Sequence, residues 1–514
     1  MAANANIVIE QKPLYQLMPV AQPIIFTVSD NTLVATKERV KFIAEVYVSK
    51  DLSVFSSNPS DVRVATLKTT PNNAGVGMFD IRPIVESYVK AENLANGTDS
   101  GAYSGTVFST FKGVEFNIDK KFPIHIIDQY SLANEVGVFF TVTFKIEYLD
   151  GNAVVIDDNF NASCPDFYGF NGYIKNEQTL NSSSGNFGLR LNTIYDKKGD
   201  YISIIQRDFT NSRFISKAPL TQYARLKDYG TVSMFNRLSN SEFDFETAPL
   251  GINNAIGKIR IKLYNALNVQ LGSDIDISNN PGNGGSQLAI YNDINKQYIM
   301  FFGVYPANLD GGYIKDNVSY GDWNTHKANV SYYTVQALDN YNNGLTQAYT
   351  INIICDSGKG YEPIRLTWLN EFGTWDYYTF NQKSIKSLGT NKTSYTQLRG
   401  TWNESKYAQY GYDGGKKNFT MNTTERIKIN TDFLNDSESE WIESMMNSPE
   451  VYIINDFSFD QFTSSSFASG IVNKYVEPII VTTSSFTRKT VANDKLIQYT
   501  IDIERNKTQR TQAV

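Results

Sequence analysis

The chain is short of the residues that carry most protein chemistry. Its 514 residues include two histidines, His125 and His326, and two cysteines, Cys164 and Cys355. That supply leaves little material for His-based catalysis or transition-metal binding, and no cysteine spacing resembles a zinc knuckle or a disulfide framework. Two buried free thiols are the expectation. Charge is also sparse, at 19% of residues with a net of −6. An acidic balance argues against a protein whose main task is gripping nucleic acid, although a local basic patch stays open. No stretch approaches 18 consecutive apolar residues, so no membrane span is expected. The opening Met-Ala-Ala-Asn-Ala-Asn-Ile lacks a basic region followed by an apolar run, so no signal peptide is expected. The Asn-X-Ser/Thr triplets at Asn181, Asn391, Asn403 and Asn422 therefore read as chance in an Asn-, Ser- and Thr-rich chain.

Familiar catalytic motifs are missing as well. Gly282–Gly285 lacks the Gly-Lys-Ser/Thr ending of a phosphate loop. No Gly-X-Ser-X-Gly elbow and no His-Glu-X-X-His occurs. His125 falls in an alternating strand, Pro123–Ile127, and reads as a packed or edge histidine; His326 falls in a polar loop beside Trp323 and Lys327, where a surface role is the default. Three carboxylate pairs come into question for glycoside chemistry: Asp157 with Asp158, Asp274 with Asp276, and Glu371 with Asp376. The last is flanked by Trp368 and Trp375. Trp-rich strands in β domains are more often core or interface than sugar platforms. Asp274-Ile275-Asp276 lacks the Gly and closing Glu of a calcium loop. The expectation is a non-enzyme without metal or cofactor.

What the chain has in quantity is aromatic and β-forming side chains: 13% aromatic, with 32 Tyr and 31 Phe. This favours strands, and the length favours several domains. Four modules are expected. The first, residues 1–130, is a β domain in which Val40, Phe42, Ala44, Val46 and Val48 alternate inward, with a short helix from Pro83 to Ala91. A second β module covers residues 131–250. Phe140, Val142, Phe144, Ile146 and Tyr148 share a face there, and Asp150-Gly151 turns the chain into Ala153–Ile156. Further strands are expected at Leu189–Ile194 and Tyr201–Gln206. Residues 251–357 read as a sandwich-like module opening on Ile259, Ile261 and Leu263 and closing on Ala348–Ile354. Residues 358–514 read as a β domain with a strand at Arg426–Asn430 and a helix capped by Ser437 with Glu440. A final hairpin there joins Phe486–Thr490 to Leu496–Glu504. The fold class is mainly β: several sandwich-like modules with a few short helices.

The aromatic surplus also suits contacts between proteins. Trp368, Trp375 and Tyr377 in the dense 366–380 segment, and Trp402, Tyr407, Tyr410 and Tyr412 in a loop among Asn, Ser, Gln and Gly, are the interface candidates.

The segments Tyr361–Phe380 and Ile427–Glu504, the latter with its helix ending at Ser448-Pro449 and then Pro478-Ile479-Ile480-Val481, resemble tail and neck structural proteins. The phages concerned infect gut Bacteroidales, especially the crAss-like podoviruses. Phe79-Asp80-Ile81-Arg82-Pro83-Ile84-Val85-Glu86-Ser87-Tyr88 also looks like an opening of such proteins. The resemblance implies β-sandwich modules in a cyclic homo-oligomer around the DNA exit channel of a virion. Such a ring extends the portal, docks further tail proteins and lets genomic DNA pass without sequence-specific binding. It implies manufacture in the bacterial host cytoplasm. The alternative expectation is a virion tail protein that binds host glycans or degrades polysaccharide.

Overall fold

Strict alternation decides the first sheet. In a computed structural model of the chain, Val40, Phe42, Ala44, Val46 and Val48 of the strand Glu38–Ser49 are buried on one side. The structure describes residues 6–13, 17–57, 59–95, 123–127, 130–173, 212–235, 257–278, 299–310, 320–338, 342–354, 360–402, 404–412, 414–455, 476–483 and 497–505, with short strand fragments elsewhere. It is mainly β, with several sheets and a few short helices. The chain divides into two units. One comprises Met1–Cys355, Leu369–Asp376 and Asp456–Asn473; the other comprises Asp356–Trp368, Tyr377–Asn455 and Lys474–Val514.

In the first unit a sheet runs Leu17–Pro19, Phe167–Phe170, Gly137–Asp150, Glu38–Ser49 and Arg63–Thr69, with Ala153–Ser163 also paired to Gly137–Asp150. Strands from both sides of residue 130 thus share one sheet. A three-stranded sheet of Val8–Gln11, Ile25–Ser29 and Val76–Asp80 contributes to the same core. Phe26 and Phe79 of the small sheet meet Phe144 of the large one at 5.9 and 5.8 Å between ring centroids. Aromatic pairs of this kind add to the burial of their area. The hairpin at Asp150-Gly151 forms as expected, and Gly151 supplies the positive φ, 62°, that the turn requires. The short helix is Arg82–Glu86, ending well before Ala91.

The other large sheet of this unit runs Thr221–Ala224, Tyr349–Ile353, Tyr332–Leu338, Lys258–Tyr264 and Gln270–Ser278. Ile259, Ile261 and Leu263 are fully buried, while Lys258, Arg260 and Lys262 point the other way. There Arg260 makes a two-pronged contact with Asp276 at 2.8 and 2.9 Å, and Lys258 reaches the same carboxylate at 2.7 Å. Partial burial works against the Asp276 charge. The hydrogen bonds and positive charges of Arg260 and Lys258 outweigh it and hold the carboxyl below its ordinary range.

Two expectations near the histidines fail. Residues Ile124–Ile126 form a 3-10 turn, not a strand. Its flanking carbonyls are taken by a side chain, since the Asn308 Nδ2 donates to His125 O at 2.9 Å and Ile127 O at 2.6 Å. His125 itself is buried. His326 closes a helix, Gly321–His326, that packs Trp323 inward. Residues 181–186, 189–193, 279–286 and 484–496 lie outside the described residues, so the loops and strands expected there are not addressed. Tyr201–Ile204 is a strand.

The second unit is built on an eight-stranded sheet. Its order is Trp375–Phe380, Ile364–Leu369, Val451–Ile454, Val476–Val481, Thr500–Arg505, Gly415–Asn430 and Ile385–Gln397, with Gln509–Arg510 also paired to Gly415–Asn430. Ile497, Tyr499, Ile501 and Ile503 face inward as their alternation indicates. The helix Asp436–Met446 is capped two residues earlier than expected, at Asn435. Asn435 accepts from the Glu438 N–H at 2.9 Å, and Glu438 accepts from the Asn435 N–H at 2.9 Å. The capping box is therefore Asn435/Glu438, while Ser437 only donates to Asn435 Oδ1. Trp441, Ile442 and Met445 face the buried side, and Met446 is only half-buried.

The first unit also buries a carboxylate. Glu92 Oε2 accepts from the backbone N–H groups of Asn134 and Glu135 at 2.7 Å and of Val136 at 3.3 Å. Burial pushes its pKa up to about 7 despite these donors. A folded-state pKa raised above the unfolded value means that the folded form holds the extra proton. The resulting stability is complete below about pH 4.5 and is lost as pH rises through 7. Denaturant melts of wild type and Glu92→Gln from pH 4.5 to 8 should show this slope in the first and its flattening in the second. For the helix, Asn435→Ala should cost about 1 kcal/mol and Ser437→Ala clearly less, read as the shift in the denaturation midpoint.

Candidate interaction surface

The dense 366–380 segment turns at Asn370–Thr374, where the Asn370 N–H donates to Thr374 O at 2.7 Å. Asn370 Oδ1 accepts from the N–H groups of Phe372 and Thr374 at 3.0 and 3.1 Å, while its Nδ2 donates to Ile215 O and Asp376 Oδ1. Gly373 takes φ +77°, and an added Cβ would run into the carbonyl of Asn171. Asp376 is 3% exposed and also accepts from Ser216 Oγ at 2.5 Å; Glu371 is ion-paired with Lys217. The pair considered for sugar chemistry is thus committed to internal partners. So are Asp274 and Asp276, both bound to cations of the neighbouring strand. Asp157 is buried, and the side chain of Asp158 lies outside the described residues.

Three of the seven interface candidates are core residues. Trp368 is fully buried, donates from Nε1 to Ser444 Oγ at 3.0 Å and lies 5.2 Å from the Trp441 ring. Trp375 donates from Nε1 to Glu92 O at 2.6 Å and meets the His125 ring edge-on at 4.9 Å. The Arg365 guanidinium covers the Tyr377 ring at 5.3 Å. Each aromatic body is out of water with its polar handle or π-face used, which is what a folded core asks of Trp and Tyr.

The other four candidates stand at the end of a long hairpin. Ile385–Gln397 pairs with Gly415–Asn430 from Ile385↔Lys428 to Gln397↔Gly415, with one register shift between Thr393 and Ser394. Only Arg426–Asn430 gains a second full neighbour, Thr500–Arg505, and Asn422–Thr423 touches Gln509–Arg510. Among the described residues, 392–397 and 415–421 pair only with each other. The strand Ile385–Gln397 is exposed along all but its last residue. At about 3.3 Å per residue this arm is about 40 Å long. Thr-rich strands supply β propensity, and Tyr395 meets Phe419 edge-on at 6.4 Å across the pair. The hairpin is nonetheless a two-stranded ribbon with no apolar face to bury, a form that is marginal in water by itself.

Its tip is ordered by its own hydrogen bonds. Thr401 Oγ1 donates to Lys406 O at 2.6 Å and accepts from the Ala408 N–H at 2.8 Å, while the Thr401 N–H donates to Ala408 O. Tyr410 and Tyr412 stack with centroids 5.7 Å apart and planes 15° from parallel. Trp402 is 68% exposed and Tyr412 79%, and Tyr407 and Tyr410 are exposed as well. Leu398 and Phe419 add exposed apolar surface. Exposed aromatic and apolar side chains gathered at the end of one hairpin suit a contact site. Charge separates the arm from the rest of the molecule: residues 390–421 hold five basic and two acidic side chains, in a chain of net charge −6.

Cys164 is buried and free, and burial pushes its thiol pKa up to about 12; Cys355 lies outside the described residues. Among the described residues no group of His, Cys, Asp and Glu is arranged to hold a metal ion, and no helix is long and apolar enough to cross a membrane.

No protein-family model and no curated protein matches the chain. Among solved structures, it is similar to the native conformation of E. coli alpha-2-macroglobulin, with a TM-score of 0.18 and 8% identity. That match covers 83% of this chain and 22% of the other, so the chain spans about a fifth of that protein's length. A likeness this weak has no bearing on fold or function.

The two kinds of tryptophan separate cleanly in a stability measurement. Trp368→Ala should cost about 3–5 kcal/mol in denaturant unfolding, and Trp402→Ala less than about 0.5 kcal/mol. A large loss on Trp402→Ala in the isolated chain would move this side chain from the surface to the core.

Proposed function

We propose that this chain is a structural subunit of a phage tail or neck. It assembles with copies of itself into a ring around the DNA channel that extends the portal and offers docking surfaces to further tail proteins. The observation that carries this reading is the projecting hairpin arm. A ribbon that extends about 25 Å beyond the sheet over 390–397, holds no buried side chain there and ends in four exposed aromatic rings is shaped for contact with another protein. Charges paired between strands suit a building block as well. Glu45 holds Arg63 and Lys145 at 2.8 and 3.2 Å, and Arg505 bridges Glu477 and Glu425. Such ladders fix strand register without chemistry of their own. The resemblance of 361–380 and 427–504 to tail and neck proteins supplies the setting, and DNA passes through such a ring without sequence-specific contacts.

A second reading, binding of host glycans, is favoured by the stacked Tyr410–Tyr412 pair beside Trp402, since exposed aromatic faces also suit sugar rings. Native mass spectrometry with negative-stain imaging of the purified full chain distinguishes the two. A closed ring with a single copy number is the expected result. A chain that stays monomeric across concentrations and is retained on a glycan array, with retention lost in Trp402→Ala/Tyr412→Ala, would replace the ring by the glycan reading.

A further inference from the structure

The arm and the segment that follows it carry opposite charge. Residues 390–421 hold Lys392, Arg399, Lys406, Lys416 and Lys417 against Glu404 and Asp413. Residues 431–455 hold six acidic side chains and no lysine or arginine. Within the helix Asp436–Met446, Asp436, Glu440 and Glu443 recur at i, i+4 and i+7, on the side opposite the buried Trp441, Ile442 and Met445. Phe433, 58% exposed, adds an apolar group beside this acidic stripe.

Chain geometry keeps the two surfaces apart within one molecule. The acidic segment begins at Thr431, where the arm's second strand ends. From there the paired strands run away to Gln397 and Gly415 with one register shift between Thr393 and Ser394, which sets the aromatic tip about 40 Å along the ribbon from Asn430. A hairpin paired along its whole length keeps its tip away from its own root. The tip therefore meets its charge complement only on another copy.

Resting on the assembly reading above, we propose that the 390–421 arm of one copy docks on a second copy of this chain, seating its basic, aromatic tip on the acidic helical face of residues 431–455. Trp402 and Tyr412 are the apolar anchors, with Phe433 on the receiving side. Lys406, Lys416 and Lys417 set orientation against Asp436, Glu440 and Glu443. Aromatic anchors with a charged rim match the anatomy of specific interfaces, in which charge governs partner choice and approach. The contact joins two different patches. It is therefore head-to-tail, and it closes into a ring if the rotation between neighbours divides the circle.

The test uses the full-length protein. Tyr412→benzoylphenylalanine is irradiated in a mixture of isotopically heavy and light copies. Cross-links to residues 431–455 that join heavy to light chains are expected. Lys416→Glu/Lys417→Glu and Glu440→Lys/Glu443→Lys should each weaken assembly by about tenfold or more, and the four substitutions together should restore it. Unchanged thermal unfolding of each variant separates lost docking from lost folding. Cross-links confined to a single chain, or falling elsewhere on the second copy, overturn the proposal. A ring that persists when 390–421 is replaced by a tight turn overturns the arm's role and leaves the assembly reading intact. A wild-type chain that remains monomeric at all concentrations overturns both. Retention of duplex DNA that is lost in Lys416→Glu/Lys417→Glu would make the arm a nucleic-acid contact and overturn docking between copies.

Discussion

A strand holds its place because every second side chain leaves water. That constraint governs most of this chain. Glu38–Ser49, Gly137–Asp150, Lys258–Tyr264 and Thr500–Arg505 each commit one row of apolar groups to a core. Shifting any of them by one residue would exchange its buried and wet rows, so register and burial specify each other. On the wet row of Lys258–Tyr264 the charges pair across to a neighbour, as Arg260 does with Asp276. Exposed pairs of this kind contribute little energy singly, but like charges directly opposite would disfavour the register, so the ladder acts mainly as a check on alignment.

The hairpin Ile385–Asn430 is where the constraint is not met by the chain itself. Its first strand has no buried row, and its second acquires one only at Ile427 and Ile429, where Thr500–Arg505 lies alongside. Beyond that root the ribbon is held by its own ladder and by few side-chain contacts. The segment keeps strand geometry without an apolar face and ends in an ordered aromatic tip. On the reading proposed here, that face belongs to a neighbouring subunit.

This explains which parts of the molecule were legible in the sequence. Inward alternation at Val40–Val48, Phe140–Tyr148, Ile259–Leu263 and Ile497–Ile503 led directly to strands that exist. The outer strand Ile385–Gln397 gave no such signal, because a ribbon wet on both sides has no alternation to read. The Trp402–Tyr412 loop stood out by composition, but the arm that carries it did not. Pro123–Ile127 alternates like a strand and still turns, because Asn308, far away in sequence, captures the carbonyls of His125 and Ile127. The helix cap was misplaced by two residues because Asn435 and Ser437 are both good caps, and only the reciprocal bond with Glu438 decides between them. In the 366–380 segment, composition showed aromatic density but not its side. Trp368 and Trp375 spend their indole N–H groups on Ser444 and on the Glu92 carbonyl, both remote in sequence.

The same reasoning bears on how such a subunit avoids uncontrolled association. An exposed ribbon edge is a template for pairing with any other strand. Along 385–397 the outer edge carries Lys386 and Lys392 with Ser, Thr and Asn, between the exposed Ile385, Leu388 and Tyr395. Lysines on an edge oppose strand-to-strand growth, because a second identical edge brings like charges together. An acidic partner surface does not meet that barrier. The arm's charge thus disfavours arm-to-arm stacking, and on the docking proposed above it favours the acidic segment of a second copy.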